Sequence, residues 1–524
     1  MSWKGHKQFS LIFATLKMAL ATFSSRILGL VREQVMAATF GASGITDAFT
    51  VAYRVPNMLR DLFAEGAFSS AFVPVFTKAR LENEKASRIL LWSMAILLGS
   101  MTLVIAGGVI YWAPFVVRIM TDDQFIADTE RFEITVQMVR IMAPFLTLIS
   151  LAALFMGALN SLKVFFVPAL APALFNIIMI ASMIYLPPVV EAKGVHPIIA
   201  LAIGVIGGGL AQMLLQVPLL FKKGFGPSGE LELFGPYTKS ILNRLGIGTV
   251  GVAATQINIL ITTILATGTQ LGAVSWLTYA FRLFQFPVGI LSVSIGGSNL
   301  VHFSEAWKAG KREEAKSTLA TSYLFSWLLI LPAFVLIMGL ANETVHLIFE
   351  RGAFSSRDSA QSAMALRQYM WGLPFYGLYK IFGPTFFSID RPKIPVFISI
   401  TAIAANIIFC LLMVPQYGFS ILALGTSLSM MLNCFLQSVY LHKYLRLGAK
   451  FFISTRLVKF LISAGLSWLV LSWIRPLLYD FSAALLLRCV QYATCCLITV
   501  ATYVAMLLVL GESKTVKAFL NKKK

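Results

Sequence analysis

Apolar residues in this chain come in runs of about 20 or more, separated by short gaps that collect Lys, Arg, Asp and Glu. Folded as a helix rising 1.5 Å per residue, such a run crosses the ~30 Å of a bilayer's hydrocarbon with its backbone hydrogen bonds made internally. Fourteen spans are predicted, over about 9–40, 45–77, 88–117, 132–159, 165–186, 197–221, 240–267, 271–303, 317–340, 359–388, 394–414, 417–441, 457–474 and 481–510. The pattern is that of an all-α polytopic membrane protein with about 14 transmembrane helices.

Composition agrees with this. Of 524 residues, 58% are hydrophobic and 13% charged, about half the charged share of a soluble chain. The net charge of +20 raises nucleic acid as a partner, but the basic residues sit in the gaps between spans, and no nucleic-acid surface is expected. Counted gap by gap, 27 Lys and Arg fall on the side of the termini and 6 on the other. The positive-inside rule then places both termini in the cytoplasm. The remaining 10 of the 43 lie inside spans or at their margins: Lys17, Arg26, Arg32, Arg54, Arg60, Arg140, Arg282, Arg367, Lys380 and Arg488. Lys4 and Lys7 precede an apolar segment as in a signal peptide, but Lys17 and Arg26 interrupt it and no small-residue cleavage site follows, so it is read as a retained span. The five cysteines lie in apolar stretches and the five histidines are scattered, neither with ligand spacing, so no metal or cofactor is expected.

The chain repeats weakly at an offset of about 230 residues: Pro144-Phe145 recurs as Pro374-Phe375, Lys163 as Lys393, and Asn176-Ile177-Ile178 as Asn406-Ile407-Ile408. At an offset of 228, Ala52-Tyr53-Arg54 matches Ala280-Phe281-Arg282. Six spans per repeat is an even number, so both halves enter the membrane in the same sense, as a parallel repeat. The expected organisation is an N-terminal lobe over 1–222, a C-terminal lobe over 223–446, and two further spans with a basic cytoplasmic tail over 447–524. Two six-helix lobes around a central cavity is a transporter architecture.

A charge at the bilayer centre costs ~2.5–3.5 kcal/mol on insertion scales, so it faces a cavity or a partner. The first two spans concentrate Arg26, Arg32, Glu33, Asp47, Arg54, Arg60, Asp61 and Glu65, and the eighth adds Arg282. Asp47, Arg54 and Asp61 are seven apart, ~20° short of two full helical turns, and form one polar stripe. Arg26 and Arg32 are six apart, about 9 Å along the axis and ~120° around it; a bend at Gly29 between them would aim both at one cavity. Pro56 favours a kink in the second span. The bland alternative is intrahelical pairing or snorkelling, which fits the isolated Arg140, Arg367, Lys380 and Arg488 better than the cluster. Five guanidiniums outnumber the carboxylates suited to pair them, and Arg binds phosphate and carboxylate bidentately, so the cavity should be cationic and its ligand anionic.

These residues carry a resemblance. Ser25-Arg26-Ile27-Leu28-Gly29-Leu30-Val31-Arg32-Glu33, Thr46-Asp47-Ala48-Phe49, Pro56-Asn57-Met58-Leu59-Arg60, and Phe63-Ala64-Glu65-Gly66-Ala67-Phe68-Ser69 with Phe72-Val73-Pro74 closely resemble the MurJ (MviN) family. Val274-Ser275-Trp276, Tyr279-Ala280, Arg282-Leu283 and Phe286-Pro287 continue the similarity. The resemblance implies a lipid II flippase of the multidrug/oligosaccharidyl-lipid/polysaccharide exporter superfamily, a transporter and not an enzyme, moving the undecaprenyl-pyrophosphate-linked peptidoglycan precursor across the bacterial cytoplasmic membrane. It implies substrate-binding roles for Arg26, Arg32, Asp47, Arg60 and Arg282, with Arg54 where a Lys can stand in the family. Gly29, Pro56, Asp61, Glu65 and Gln285 are gate or conformational candidates. Expected partners are lipid II, membrane lipids and the cell-wall synthesis machinery.

The chain also departs from the family. Gln285 stands where an acid can follow Arg282. Residues 236–267 and 391–446 lack the Asp and Glu with which some members bind sodium; Asn406 and Thr426 offer only neutral oxygens. Sodium coupling is therefore in doubt, and membrane potential acting on the cavity charges is the alternative drive, at ~2.3 kcal/mol per charge per 100 mV. A flippase for another polyprenyl-pyrophosphate-linked oligosaccharide is the runner-up. A multidrug exporter would place carboxylates, not an arginine excess, in its cavity.

Overall fold

The computed structural model describes residues 3–63, 67–227, 229–296 and 298–513, and among these it is helical with no strand. In chain order the helices are α1 (Trp3–Phe40), α2 (Gly44–Phe63), α3 (Ala67–Glu82), α4 (Glu84–Tyr111), α5 (Ala113–Met120), α6 (Asp123–Ala127), α7 (Thr129–Met142) and α8 (Phe145–Ser161). Next come α9 (Phe166–Tyr185), α10 (Pro187–Glu191), α11 (Ile199–Leu214), α12 (Val217–Lys222), α13 (Pro236–Thr267), α14 (Ala273–Gly296), α15 (Ser298–Lys308) and α16 (Arg312–Gly339). The chain closes with α17 (Ala341–Phe349), α18 (Ser356–Met370), α19 (Leu373–Ser388), α20 (Lys393–Tyr417), α21 (Ser420–Leu445), α22 (Ala449–Phe452), α23 (Thr455–Leu478) and α24 (Leu485–Val509).

Several expected spans consist of two helices, and proline accounts for the breaks. Pro144 separates α7 from α8, and Gly372 followed by Pro374 separates α18 from α19, because a proline has no N–H for the preceding turn and its ring crowds it. Side chains close other ends: Asn83 accepts from Lys85 N and Ala86 N at the start of α4, and Ser355 with Asp358 forms a capping box on α18. Among the described residues nine helical stretches are long and apolar enough to cross a membrane, and the protein is a multi-pass membrane protein. The other five expected spans are not among these nine, and within 240–267 the apolar helix is the shorter Ala253–Thr267.

The chain divides into two compact units, Met1–Ser275 with Gly352–Phe354, and Trp276–Arg351 with Ser355–Lys524. In the first, Phe68, Phe72 and Phe76 stack along one face of α3, with ring centroids 5.6 and 5.2 Å apart, in a core shared with α4 and α8. There α1 lies along α9, α9 along α11, and α2 against α7 and α8. Helix α13, which the sequence assigns to the second lobe, packs on α2, α3, α4 and α5. Helix α1 ends at Phe40, where Gly41 takes φ 65° and meets the short segment 352–354: Ala353 N donates to Ala38 O at 2.8 Å. Both glycines are required there. A Cβ on Gly41 would fall 2.5 Å from Ala353 O, and one on Gly352 (φ 59°) 2.2 Å from Ala38 O.

In the second unit, α16, α23 and α24 bury Leu331, Val335, Phe460, Leu471, Cys495 and Tyr503 in one core. Beside that core a polar cluster ties α17 to the last two long helices. Arg475 lies 3.3 Å from the buried Glu343, Arg488 Nη1 donates to His346 Nε2 at 2.9 Å, and His346 Nδ1 meets the Tyr479 hydroxyl at 3.2 Å.

Candidate functional site

Helix α1 is unbroken through Gly29 and carries both Arg26 and Arg32 on one rod. The two differ in surroundings. Arg26 is exposed and has no hydrogen bond or ion pair among the described residues. The Arg32 side chain is 13% exposed and held on two sides: its Nη2 lies 2.5 Å from Glu33 Oε1, and its Nη1 donates to Asn176 Oδ1 of α9 at 3.2 Å. The Phe175 ring lies 5.9 Å from its guanidinium carbon. Where the sequence suggests a bend at Gly29, the structure places that residue facing α9, and a Cβ there would lie 3.6 Å from Asn176 Nδ2.

Helix α2 runs without a break through Pro56, and its polar stripe has definite partners. At one end Asp47, 2% exposed, accepts from Gly272 N (2.7 Å) on Oδ2 and from Ser275 N (2.8 Å) and Ser275 Oγ (2.7 Å) on Oδ1. Gly272 and Ser275 flank the first residues of α14, whose leading N–H groups lack partners within the helix, so the carboxylate caps α14 from α2. One stretch along, Arg54 Nη1 donates to the Thr263 hydroxyl of α13 and, at 3.5 Å, to Ile259 O. At the far end Asp61 is shared: Oδ1 pairs with Arg60 Nη2 at 2.9 Å and Oδ2 accepts from Gln256 Nε2 at 3.1 Å. The stripe expected from the seven-residue spacing is thus the face that α2 applies to α13 and to the head of α14. Glu65 lies outside the described residues.

Within the second unit, Arg282 and Gln285 are both exposed on α14. The first unit therefore gathers Arg26, Arg32, Arg54, Arg60, Asp47 and Asp61 on α1 and α2, and neutral groups hold much of this charge. A hydroxyl, an amide or a backbone carbonyl fixes a guanidinium's direction without cancelling its charge, which leaves donors for an anion. Asn176, Gln256, Thr263, Gly272 and Ser275 are the positioning residues that the charge pattern alone misses. Asn176 carried a signal as one of the residues repeated at offset 230, and Ser275 lies in one of the quoted family motifs. Among the described residues no three His, Cys, Asp or Glu side chains form a metal-holding group.

The model of the family described as lipid II flippase MurJ matches residues 36–488, most of the chain and all of α2 through α23. This chain belongs to the MurJ family. Curated relatives agree: a lipid II flippase MurJ of Burkholderia cenocepacia is 33% identical over 521 residues, covering 96% of this chain and 98% of its own. A probable lipid II flippase MurJ of Vibrio cholerae is 31% identical over 502 residues, covering 94% of each. A solved lipid II flippase MurJ in an inward closed conformation superposes with a TM-score of 0.76 at 23% identity, over 95% of this chain and 99% of that one. An inward-facing multidrug resistance MATE family transporter of the MOP superfamily shares the fold at a TM-score of 0.64 and 13% identity, over 80% of this chain and 94% of that one. The MurJ fold thus extends to the wider superfamily, while the sequence likeness falls on MurJ.

Proposed function

We propose that the chain flips lipid II, the undecaprenyl-pyrophosphate-linked disaccharide-peptide, from the inner to the outer leaflet of the bacterial cytoplasmic membrane, supplying cell-wall synthesis. Arg26 carries the reading. An exposed guanidinium within a span, with no protein partner among the described residues, is costly in lipid unless an anion or water meets it. A pyrophosphate headgroup presents the several anionic oxygens that Arg26, Arg32, Arg54, Arg60 and Arg282 are suited to receive, and the isoprenoid tail stays in lipid. The headgroup enters from the cytoplasmic side, the two halves of the transporter rock, and the site opens outward. No covalent chemistry is required of the protein. With no Asp or Glu in 236–267 or 391–446, the drive is assigned to membrane potential and not to a sodium carboxylate site. Both termini lie in the cytoplasm, and the exported product is handed to the cell-wall synthesis machinery.

The test is complementation of a bacterium depleted of its lipid II flippase, scored by lipid II reaching the outer leaflet. The chain restores export, and Arg26→Ala, Arg32→Ala and Arg282→Ala each abolish it at normal membrane levels. Normal export by all three variants, or no export by a well-inserted wild-type chain, overturns the proposal.

A further inference from the structure

Asn176 makes two contacts that no charge count reveals. Its Oδ1 accepts from Arg32 Nη1 at 3.2 Å, and its Nδ2 donates to the backbone carbonyl of Ser25 at 3.2 Å. The orientation of the amide is fixed by chemistry, since a guanidinium only donates and a carbonyl only accepts. One side chain of α9 therefore grips α1 at the turn that bears Arg26 and again at Arg32, about 9 Å apart along the axis. Gly29 lies between the two grips, and a side chain longer than a methyl there would enter the lane that Asn176 occupies. Asn176 is only 7% exposed, so this is a built contact and not a surface one.

We infer that Asn176 is a positioning residue for the arginine pair, chosen for its neutrality. This rests on the lipid II reading above. Arg32 already pairs with Glu33, so that pair carries no net charge; the second partner fixes the direction of the guanidinium and leaves its remaining N–H groups for an anionic headgroup. A carboxylate in the same place would give Arg32 two anionic partners and a net charge of −1 at the mouth of an anion site. A purely structural amide makes a different demand: Asp, which turns an acceptor toward the Ser25 carbonyl, and Ala, which empties the space, both cost stability, and neither loss depends on the charge of residue 33.

The experiment uses the full chain in proteoliposomes, with undecaprenyl pyrophosphate as the binding probe, lipid II as the transported probe, and thermal unfolding as the control. Asn176→Asp lowers affinity for undecaprenyl pyrophosphate about tenfold or more, from one added charge near the ligand, whereas Asn176→Ala lowers it only a few-fold. Glu33→Gln in the Asn176→Asp background restores a neutral trio and recovers most of the lost affinity. Asp binding as tightly as Ala or tighter, or no recovery in the double variant, overturns the inference. A wild-type chain that neither binds nor moves the probes defeats the lipid II reading itself, an outcome separable from failure of the Asn176 series.

Discussion

The cap that Asp47 places on α14 sets a quantitative expectation. Its carboxylate receives three hydrogen bonds, two of them from backbone N–H groups, at a site 2% exposed. Replacing it with Ala removes a charged acceptor and strands Gly272 N and Ser275 N, each costing ~1–3 kcal/mol when buried without a partner, so the total loss is about 3–5 kcal/mol. Asp47→Asn keeps one acceptor oxygen but turns an NH2 toward a donor and gives up the charge at the helix start, for a loss of about 2–3 kcal/mol. In detergent-solubilised protein, where 524 residues carry about 1.1 kcal/mol/K of unfolding entropy, these losses lower the melting temperature by ~3–5 °C for Ala and about 2–3 °C for Asn. An Ala variant that melts within about 1 °C of wild type would refute the capping argument, because stranded donors cannot be that cheap in a buried site.

Two further outcomes follow from the same reasoning. Gly352→Ala forces a Cβ to 2.2 Å from Ala38 O at φ 59° and should cost at least ~2 kcal/mol, whereas Gly310→Ala, at φ 76° but with open space around it, should cost about 1 kcal/mol; equal melting shifts would show that the close approach does not matter. His346 lies outside the spans, and burial, with Arg488 also opposing and Glu350 favouring protonation, holds its pKa below the usual 6.5. The folded state thus takes up the proton later than the unfolded one: stability is full above about pH 6.5 and declines as pH falls below it, and the bond from Arg488 Nη1 to a neutral Nε2 is lost with it. His346→Gln should flatten this acid-side decline in melting temperature, and an unchanged decline would assign it to other groups.

Much of this was legible in the chain because two periods are simple. Apolar runs of membrane length give helices, and the seven-residue spacing of Asp47, Arg54 and Asp61 gives a single face on α2. The partners of that face were not legible. Thr263, Gln256 and Ser275 lie 195 to 228 residues away and are neutral, so nothing in their local pattern marks them. The division of single spans into α7 with α8 and α18 with α19 was marked by Pro144 and by Gly372 with Pro374, but a proline alone does not say whether a helix breaks or continues. Helix α2 continues through Pro56 and α1 through Gly29. Arg26 and Arg32 read alike as in-span cations; Glu33 beside it and Asn176 arriving on α9 hold Arg32, while Arg26 has no partner among the described residues.

The unbroken α1 also fixes depth. Counted back from its end at Phe40, Arg32 stands about 12 Å and Arg26 about 21 Å along the axis. Under the proposed topology, with the N-terminus in the cytoplasm, an anion passing from the level of Arg26 to that of Arg32 would advance outward through roughly a third of the hydrocarbon. Each negative charge so moved gains ~0.7 kcal/mol per 100 mV of inside-negative potential. For a doubly charged pyrophosphate at 100 mV that would be about a tenfold bias in occupancy toward the level of Arg32. Two arginines six residues apart on one continuous helix would thus set two depths at which the proposed potential acts on an anion.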